Sequence, residues 1–350
     1  MNKIKCGIIG ATGYAGAEIV RILLSHPFAE VSAVSSVSYE GMKLSDIWPA
    51  LSGLCDMTLI SGDDITDGKT ECDVVFAALP AGVSEEMAEK CVRRGILFID
   101  MGADFRFSDA GTYEKWYGKA FAYPEIHKRS VYCIPELHRD RIKPDTMIIG
   151  NPGCYPTSVA LGIMPAVKNH MIETEGVVID SKSGVTGAGR KMTQDTHFPD
   201  NNESFNAYKA GAHRHTPEIK QTISELADHK VKVTFVPHLL PVNRGILSTI
   251  YARLAPVTAF DDVYSAYTKA YGSEYFVRLE PRGSYANIRN VRRSNFCDIS
   301  LHCDDHTGTL IITSCIDNMV KGAAGQAIQN MNIRFGIDER TGLREAPSMF

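Results

Sequence analysis

The stretch Ile4-Lys-Cys-Gly-Ile-Ile-Gly10-Ala-Thr-Gly13-Tyr-Ala-Gly16-Ala-Glu-Ile-Val20 decides the fold. Ile4–Gly10 is a short apolar run without polar alternation, the pattern of a strand buried on both faces of a parallel sheet. Gly13–Ser25 then places Ala15, Ile19, Ile22 and Leu23 on one helical face. Three glycines at G-x-x-G-x-x-G spacing join the two. Backbone N–H groups at a helix N-terminus, unobstructed by Cβ atoms, can approach a pyrophosphate closely. The strand–turn–helix context carries this reading more than the glycines, which also occur in turns that hold no ligand. Gly10, Thr12, Gly13, Tyr14 and Gly16 are the candidate phosphate-side residues.

The alternation continues outward from that turn. Val31–Ser35 reads as a second strand, followed by Ser36 and Ser38, with Lys43 downstream. A site for NAD places an acidic residue here for the ribose 2′-hydroxyl; hydroxyls and a cation suit a 2′-phosphate, so NADP(H) is the expected cofactor. Strands are expected at 73–80, 96–100, 131–134 and 147–150, with a helix over 84–94. This alternation predicts an α/β dinucleotide-binding domain with a parallel sheet covered on both faces. From Asn151 the texture changes to a helix over 156–169 and separate β-runs at 176–181, 231–237, 246–254, 296–302 and 309–316, then a helix over 318–332. That predicts an α+β catalytic domain with a mainly antiparallel sheet.

Composition narrows the function classes. The 350 residues fit two domains. Lys+Arg 37 against Asp+Glu 41 gives a net charge of −4, without the basic excess of a general nucleic-acid binder. No run approaches the ~18 apolar residues of a membrane helix, and the first apolar run is broken by glycines too early for a signal-peptide core. The nine cysteines are scattered without a C-x-x-C pair. The expectation is therefore a reduced, cytoplasmic protein acting on a small molecule, without nucleic-acid or membrane partners.

One cysteine stands apart. In Asn151-Pro-Gly-Cys154-Tyr-Pro-Thr157 a strand ends, the chain turns and a helix begins. Cys154 lies at or just before a helix N-terminus, where the dipole favours the thiolate and N–H groups can form an oxyanion hole. A buried structural cysteine is the alternative, but Pro152, Gly153 and Pro156 place Cys154 in a constrained, exposed turn. A thiolate nucleophile needs a proton carrier, and Ala212-His213-Arg-His215-Thr-Pro217-Glu218 supplies two histidines and a carboxylate. Thr216 is the expected N-cap of a helix with Glu218 in its first turn. In an extended segment His213 and His215 share a face. H-x-H is half a metal site, but no further ligands are evident, so no metal is expected. Ser183-Gly184-Val-Thr-Gly-Ala-Gly-Arg190 is a glycine-rich loop that could approach an anion or a nicotinamide. Arg106, beyond the strand ending at Asp100, could hold a carboxylate or phosphate bidentately.

Together these segments resemble the semialdehyde dehydrogenase family, within it the N-acetyl-γ-glutamyl-phosphate reductases of arginine biosynthesis. The resemblance runs nearly end to end, through GATGYAG at 10–16, NPGCYPT at 151–157, SGVTGAGR at 183–190, AHRHTPEI at 212–219, PHLLPVNRGI at 237–246 and DNMVKGAAGQAIQNMN at 317–332. The His-Arg-His-Thr-Pro-Glu string separates it from the aspartate-semialdehyde branch. It implies an α/β Rossmann dinucleotide-binding domain, a catalytic α+β domain, NADPH, a homodimer or homotetramer, and a C-terminal helix rejoining the first domain, giving 1–150 with 318–350 for the cofactor and 151–317 for catalysis and oligomerisation. It implies Cys154 as nucleophile attacking an acyl phosphate and the 213/215 pair as acid/base, with His215 favoured. Ser183, Gly184 and Asn318 are implied at the cofactor, and Arg106, Asn151, Glu218 and Arg190 at the substrate. At Arg293 the pattern leads one to expect glycine. The alternatives are a reductase of aspartyl or aminoadipyl phosphate, or a dinucleotide sensor without chemistry, which would need the glycine turn but no poised thiol.

Overall fold

Ile4–Ile9 (β1) lies inside a six-stranded parallel sheet in a computed structural model that describes residues Asn2 to Met349. The chain continues through Tyr14–Leu23 (α1), Ala29–Ser35 (β2), Val74–Ala77 (β3), Ser84–Arg93 (α2), Leu97–Asp100 (β4), Ser130–Tyr132 (β5) and Ile148–Gly150 (β6). The strand order is β2-β1-β3-β4-β6-β5, and every pairing is parallel. All of β3 and β4 is buried, which explains their unbroken apolar sequence. Helix α1 buries Ile19, Ile22 and Leu23 of the stripe its sequence displays and Val20 beside them, while Ala15 is only partly covered.

The glycine turn follows β1 where the strand order reverses between β2 and β3, the position at which open α/β sheets bind ligands. Gly10 has φ +82°, and a Cβ there would sit 2.5 Å from the Ala78 carbonyl oxygen. A Cβ on Gly16 would meet the Gly10 oxygen at 2.3 Å. Gly10 therefore allows the turn and Gly16 lets α1 press onto it.

A second unit is built around Cys154–Lys168 (α3), whose residues Tyr155–Val167 are all buried. Its strands are Glu175–Gly184 (β7), Asn206–Ala207 (β8), Lys232–Leu240 (β9), Ile246–Arg253 (β10), Val277–Leu279 (β11), Cys297–Asp304 (β12) and Thr309–Ile316 (β13). They form one sheet in the order β11-β12-β13-β10-β7-β9-β8. Four of its six pairings are antiparallel, so the mainly antiparallel expectation holds. Ser158 of α3 reaches the sheet, donating its hydroxyl to the Ser314 carbonyl at 3.1 Å and lying 3.0 Å from the Ser248 hydroxyl. Thr216–Ala227 (α4) and Phe260–Tyr271 (α5) pack against α3. The tyrosines of α5 anchor this packing: Tyr267 donates to the Gly162 carbonyl at 2.7 Å, and Tyr271 donates to that of Leu161.

By contacts the chain divides into Met1–Pro152 with Ala323–Arg344, and Gly153–Gly322 with Glu345–Phe350. Two element expectations need correction. Residues 318–332 are not one helix: Val320–Ala324 forms a π-helical turn, and the α-helix is Gly325–Arg334. Helix α5 was not evident in sequence. Its buried positions Val263, Tyr267 and Tyr271 are mostly tyrosines, whose polar tips blur the apolar stripe. Among the described residues no helix is long and apolar enough to cross a membrane.

Candidate active site

Cys154 is the first residue of α3, after Gly153 as an extended N-cap (φ −70°, ψ 157°). The helix starts two residues earlier than the sequence suggests, because Pro156 fits a first turn, where its missing N–H costs no hydrogen bond. Thr157 closes that turn, its N–H and hydroxyl both donating to the Gly153 carbonyl at 3.0 and 2.9 Å. A helix leaves its first N–H groups outside its own ladder, so this end carries partial positive charge. Cys154 is partly buried, whereas six of the other cysteines are buried outright. The expected exposed turn is thus a half-covered helix start.

The histidine segment enters through α4. His215, not Thr216, is the N-cap, with helical backbone (φ −79°, ψ −13°), and Thr216 is the first helical residue. The segment is a turn and not an extended strand: Thr216 N–H donates to the His213 carbonyl at 2.9 Å, and His215 N–H donates to His213 Nδ1 at 3.1 Å. The two rings still face each other, 4.9 Å between centroids and edge to face. Tyr155, next to the thiol, meets His213 at 5.5 Å and His215 at 5.8 Å, both edge to face. Phe235 of β9 closes the group, 5.3 Å from Tyr155 and 5.6 Å from His213.

Electrostatics separate the two histidines. Burial first, then Lys209 and Arg214, push His213 down to about 4, so it is neutral at physiological pH. Neutral imidazole carries one N–H. Because Nδ1 accepts from His215, the proton sits on Nε2, which faces the Tyr208 hydroxyl at 3.4 Å. Tyr208 in turn lies 3.1 Å from the Tyr155 hydroxyl. Burial raises Tyr208 to about 12 and lifts Tyr155 further, so both keep their protons.

Glu218, on the first turn of α4, is fully buried and accepts the Gly153 N–H at 2.8 Å. Its carboxylate therefore fixes the residue immediately before the thiol. Ser183 and Gly184 end β7, and Gly184 N–H donates to the Gly245 carbonyl at 2.9 Å. Asn318 ties the same loops together: its Oδ1 accepts from Gly245 N–H at 2.8 Å and its Nδ2 donates to Thr186 Oγ1 at 2.9 Å. Arg190 is exposed beyond the loop. Among the described residues no group of three or more His, Cys, Asp or Glu side chains could hold a metal ion.

The first unit gathers the other named residues at the C-terminal ends of β4 and β6. Arg106 is buried and donates Nε to the Asn151 carbonyl at 2.9 Å and Nη2 to that of Met101 at 2.8 Å. Asn151 donates its side-chain amide to the Ala323 carbonyl at 3.1 Å and accepts from Asn330 at 3.2 Å. Both side chains thus organise backbone here. Nearby, Asp104 accepts from the N–H groups of Gly82, Val83 and Ser84 at the start of α2. Burial and then Asp104 raise Asp100 to about 6. The sequence marked the loop from Asp100 to Arg106 at a strand end without giving its acidic pair a role, and it gave no signal for Tyr208.

The glycine turn fits a dinucleotide pyrophosphate. Gly10 and Gly16 let the turn and helix close on neighbouring backbone without a Cβ in the way, and α1 starts at Tyr14 after extended Gly13, so its first N–H groups stand at the turn. Thr12 and Ser36 hydroxyls lie 2.9 Å apart beside it. No carboxylate follows β2 through Ser38, and Ser38 and Lys43 are exposed. That leaves the position open to a 2′-phosphate.

Residues 5–144 match the family model described as semialdehyde dehydrogenase, NAD binding domain, and residues 154–318 match semialdehyde dehydrogenase, dimerisation domain. An N-acetyl-gamma-glutamyl-phosphate reductase of Clostridium beijerinckii is 53% identical over 97% of this chain and 98% of its own length. That of Brachyspira hyodysenteriae is 49% identical over 99% of this chain and 100% of its own. Among solved structures, aspartate semialdehyde dehydrogenase II of Vibrio cholerae superposes with TM-score 0.70 at 14% identity, covering 96% of this chain and 99% of that one. The Candida albicans aspartate semialdehyde dehydrogenase with NADP gives 0.70 at 17%, covering 95% and 98%. Those two structures support the fold, and the near-full-length relatives settle the branch. The chain belongs to the N-acetyl-γ-glutamyl-phosphate reductase family of semialdehyde dehydrogenases.

Proposed function

We propose that this chain reduces N-acetyl-γ-glutamyl phosphate to N-acetylglutamate 5-semialdehyde and phosphate with NADPH, in arginine biosynthesis, through a thioester on Cys154. The observation that carries the chemistry is a half-buried thiol at the first residue of α3, followed by Tyr155, whose ring meets both histidines of the pair. Gly10, Thr12, Gly13, Tyr14, Gly16, Ser36 and Ser38 would hold the dinucleotide, and when bound it supplies the hydride that reduces the thioester. Residues 1–150 with 318–350 serve the cofactor, while 151–317 carry out the chemistry and join copies into a homodimer or homotetramer in the cytoplasm.

The Cys154 thiolate attacks the acyl carbon. The C–S bond forms and the tetrahedral oxyanion meets N–H groups at the start of α3; as it re-forms the carbonyl, the bond from the acyl carbon to the bridging oxygen breaks and its electron pair leaves with phosphate. After reduction the same carbon bears an oxygen that His215 protonates or deprotonates as the thiohemiacetal forms and collapses. Collapse breaks the C–S bond and returns its electron pair to sulfur as the aldehyde leaves. His215 is assigned this role because His213 is held neutral with both ring nitrogens engaged.

Substrate identity is tested by assaying N-acetyl-γ-glutamyl, aspartyl and aminoadipyl phosphates, or the three aldehydes in reverse with phosphate and NADP. The N-acetylglutamyl pair should give the highest kcat/KM; a preference for either other pair overturns the substrate assignment.

A further inference from the structure

We propose that Tyr208 is a positioning residue for the acid–base histidine: its hydroxyl joins Tyr155 to His213, holds His213 as the Nε2–H tautomer, and thereby fixes the backbone of His215. The proposal rests on the assignment of His215 given above.

The arrangement follows link by link. Tyr208 comes directly after β8, and its N–H donates to the Pro237 carbonyl of β9 at 3.0 Å, so its backbone is anchored to the sheet. Its ring packs edge to face on His213 at 5.5 Å. Its hydroxyl lies 3.4 Å from His213 Nε2 and 3.1 Å from the Tyr155 hydroxyl. Tyr155 is itself 2% exposed, on a helix buried from Tyr155 to Val167. On the far side of the imidazole, Nδ1 accepts the His215 N–H at 3.1 Å.

The last bond makes the tautomer matter. If the His213 proton moved to Nδ1, two N–H groups would point at each other and the His215 backbone would have to turn away. His215 is also the N-cap of α4, its carbonyl accepting Ile219 N–H at 2.9 Å, so a rotated His215 would disturb the helix start. With Nδ1 occupied by the His215 N–H, the Tyr208 oxygen is left to accept from Nε2–H, and this second hydrogen bond stabilises the tautomer that avoids the clash. No contact between Tyr208 and substrate is required.

The variant is Tyr208→Phe, which keeps the ring and removes the oxygen. We expect kcat to fall about tenfold, the size of one ordinary hydrogen bond's net contribution, with KM for the acyl phosphate and for NADPH within about twofold. Nitrogen-15 histidine spectra should show His213 changing from a single Nε2–H form to a mixture of tautomers. A Tyr208→Phe protein with wild-type kcat and an unchanged His213 signal overturns the proposal. Wild-type spectra test it even if that variant does not fold: His213 should be neutral and Nε2-protonated between pH 6 and 8, and an Nδ1–H form overturns it. His215→Asn separates the two readings. Loss of turnover in His215→Asn with wild-type behaviour in Tyr208→Phe removes the positioning role alone, whereas wild-type turnover in His215→Asn removes both.

Discussion

Gly322 offers the sharpest perturbation of the thiol. It lies in the π-helical turn Val320–Ala324, with its N–H donating to the Asp317 carbonyl at 3.0 Å. A Cβ on Gly322 would sit 2.7 Å from Cys154 Cβ, 3.1 Å from its Cα and 3.3 Å from Ile316 Cδ1. Carbon atoms in optimal contact stay about 3.5–4.0 Å apart, so Gly322→Ala forces about 1 Å of relative movement. Helix α3 is buried from Tyr155 to Val167 and bonded to the sheet through Ser158, so the movement falls on its first residue, the thiol. A misplacement of about 1 Å at a reacting group costs on the order of 100-fold in rate, and overpacking costs about 1–3 kcal/mol of stability. The assay is initial-rate NADPH oxidation alongside thermal unfolding and NADPH titration. We expect a folded protein with ordinary NADPH affinity and kcat down by about 100-fold. A folded Gly322→Ala protein with wild-type kcat would refute the argument that this glycine sets the position of Cys154.

Three further outcomes follow from particular contacts. Glu218→Ala strips the acceptor from the Gly153 N–H and should destabilise the protein by about 1–3 kcal/mol, while Glu218→Gln recovers most of the loss; chemical denaturation of both variants checks this. Arg293 has φ +62°, a left-handed conformation costing roughly 1 kcal/mol for a residue with a Cβ; Arg293→Gly should therefore raise the unfolding midpoint by about 1–3 °C in calorimetry, and a fall would count against backbone strain there. His213 drops from 6.5 unfolded to about 4 folded, so the folded chain binds fewer protons. Its contribution to stability is full above about 6.5 and lost as pH falls towards 4. Denaturation midpoints of wild type should therefore decline relative to His213→Gln across that window, and parallel curves would contradict the burial of this ring.

What the sequence disclosed depended on whether local chemistry or distant contact set each role. The turn at Gly10–Gly16 was legible because Gly13 and Gly16 meet the Gly10 carbonyl a few residues away, and Gly10 carries the positive φ that a glycine signals. The Cys154 helix start was legible because Gly153 and Pro156 bracket it within four residues. Arg293 stood out as a missing glycine, and the chain is left-handed there. Glu218 was legible as a first-turn acid, but its bond to Gly153 spans 65 residues and leaves no mark in local spacing. Tyr208 was not legible, since a tyrosine after a two-residue strand shows no period, and its partner Tyr155 is 53 residues away. The histidine turn differs from the extended reading because the His213 ring, by accepting the His215 N–H, curls the segment into α4.

The central claim is a covalent acyl group on Cys154. Wild-type protein mixed with N-acetyl-γ-glutamyl phosphate without NADPH should release about one phosphate per chain in a burst. Intact-mass and peptide spectrometry should then find the N-acetylglutamyl adduct on Cys154, absent from Cys154→Ala, and discharged on adding NADPH. Turnover by Cys154→Ala, or a phosphate burst with no adduct at Cys154, would contradict the account.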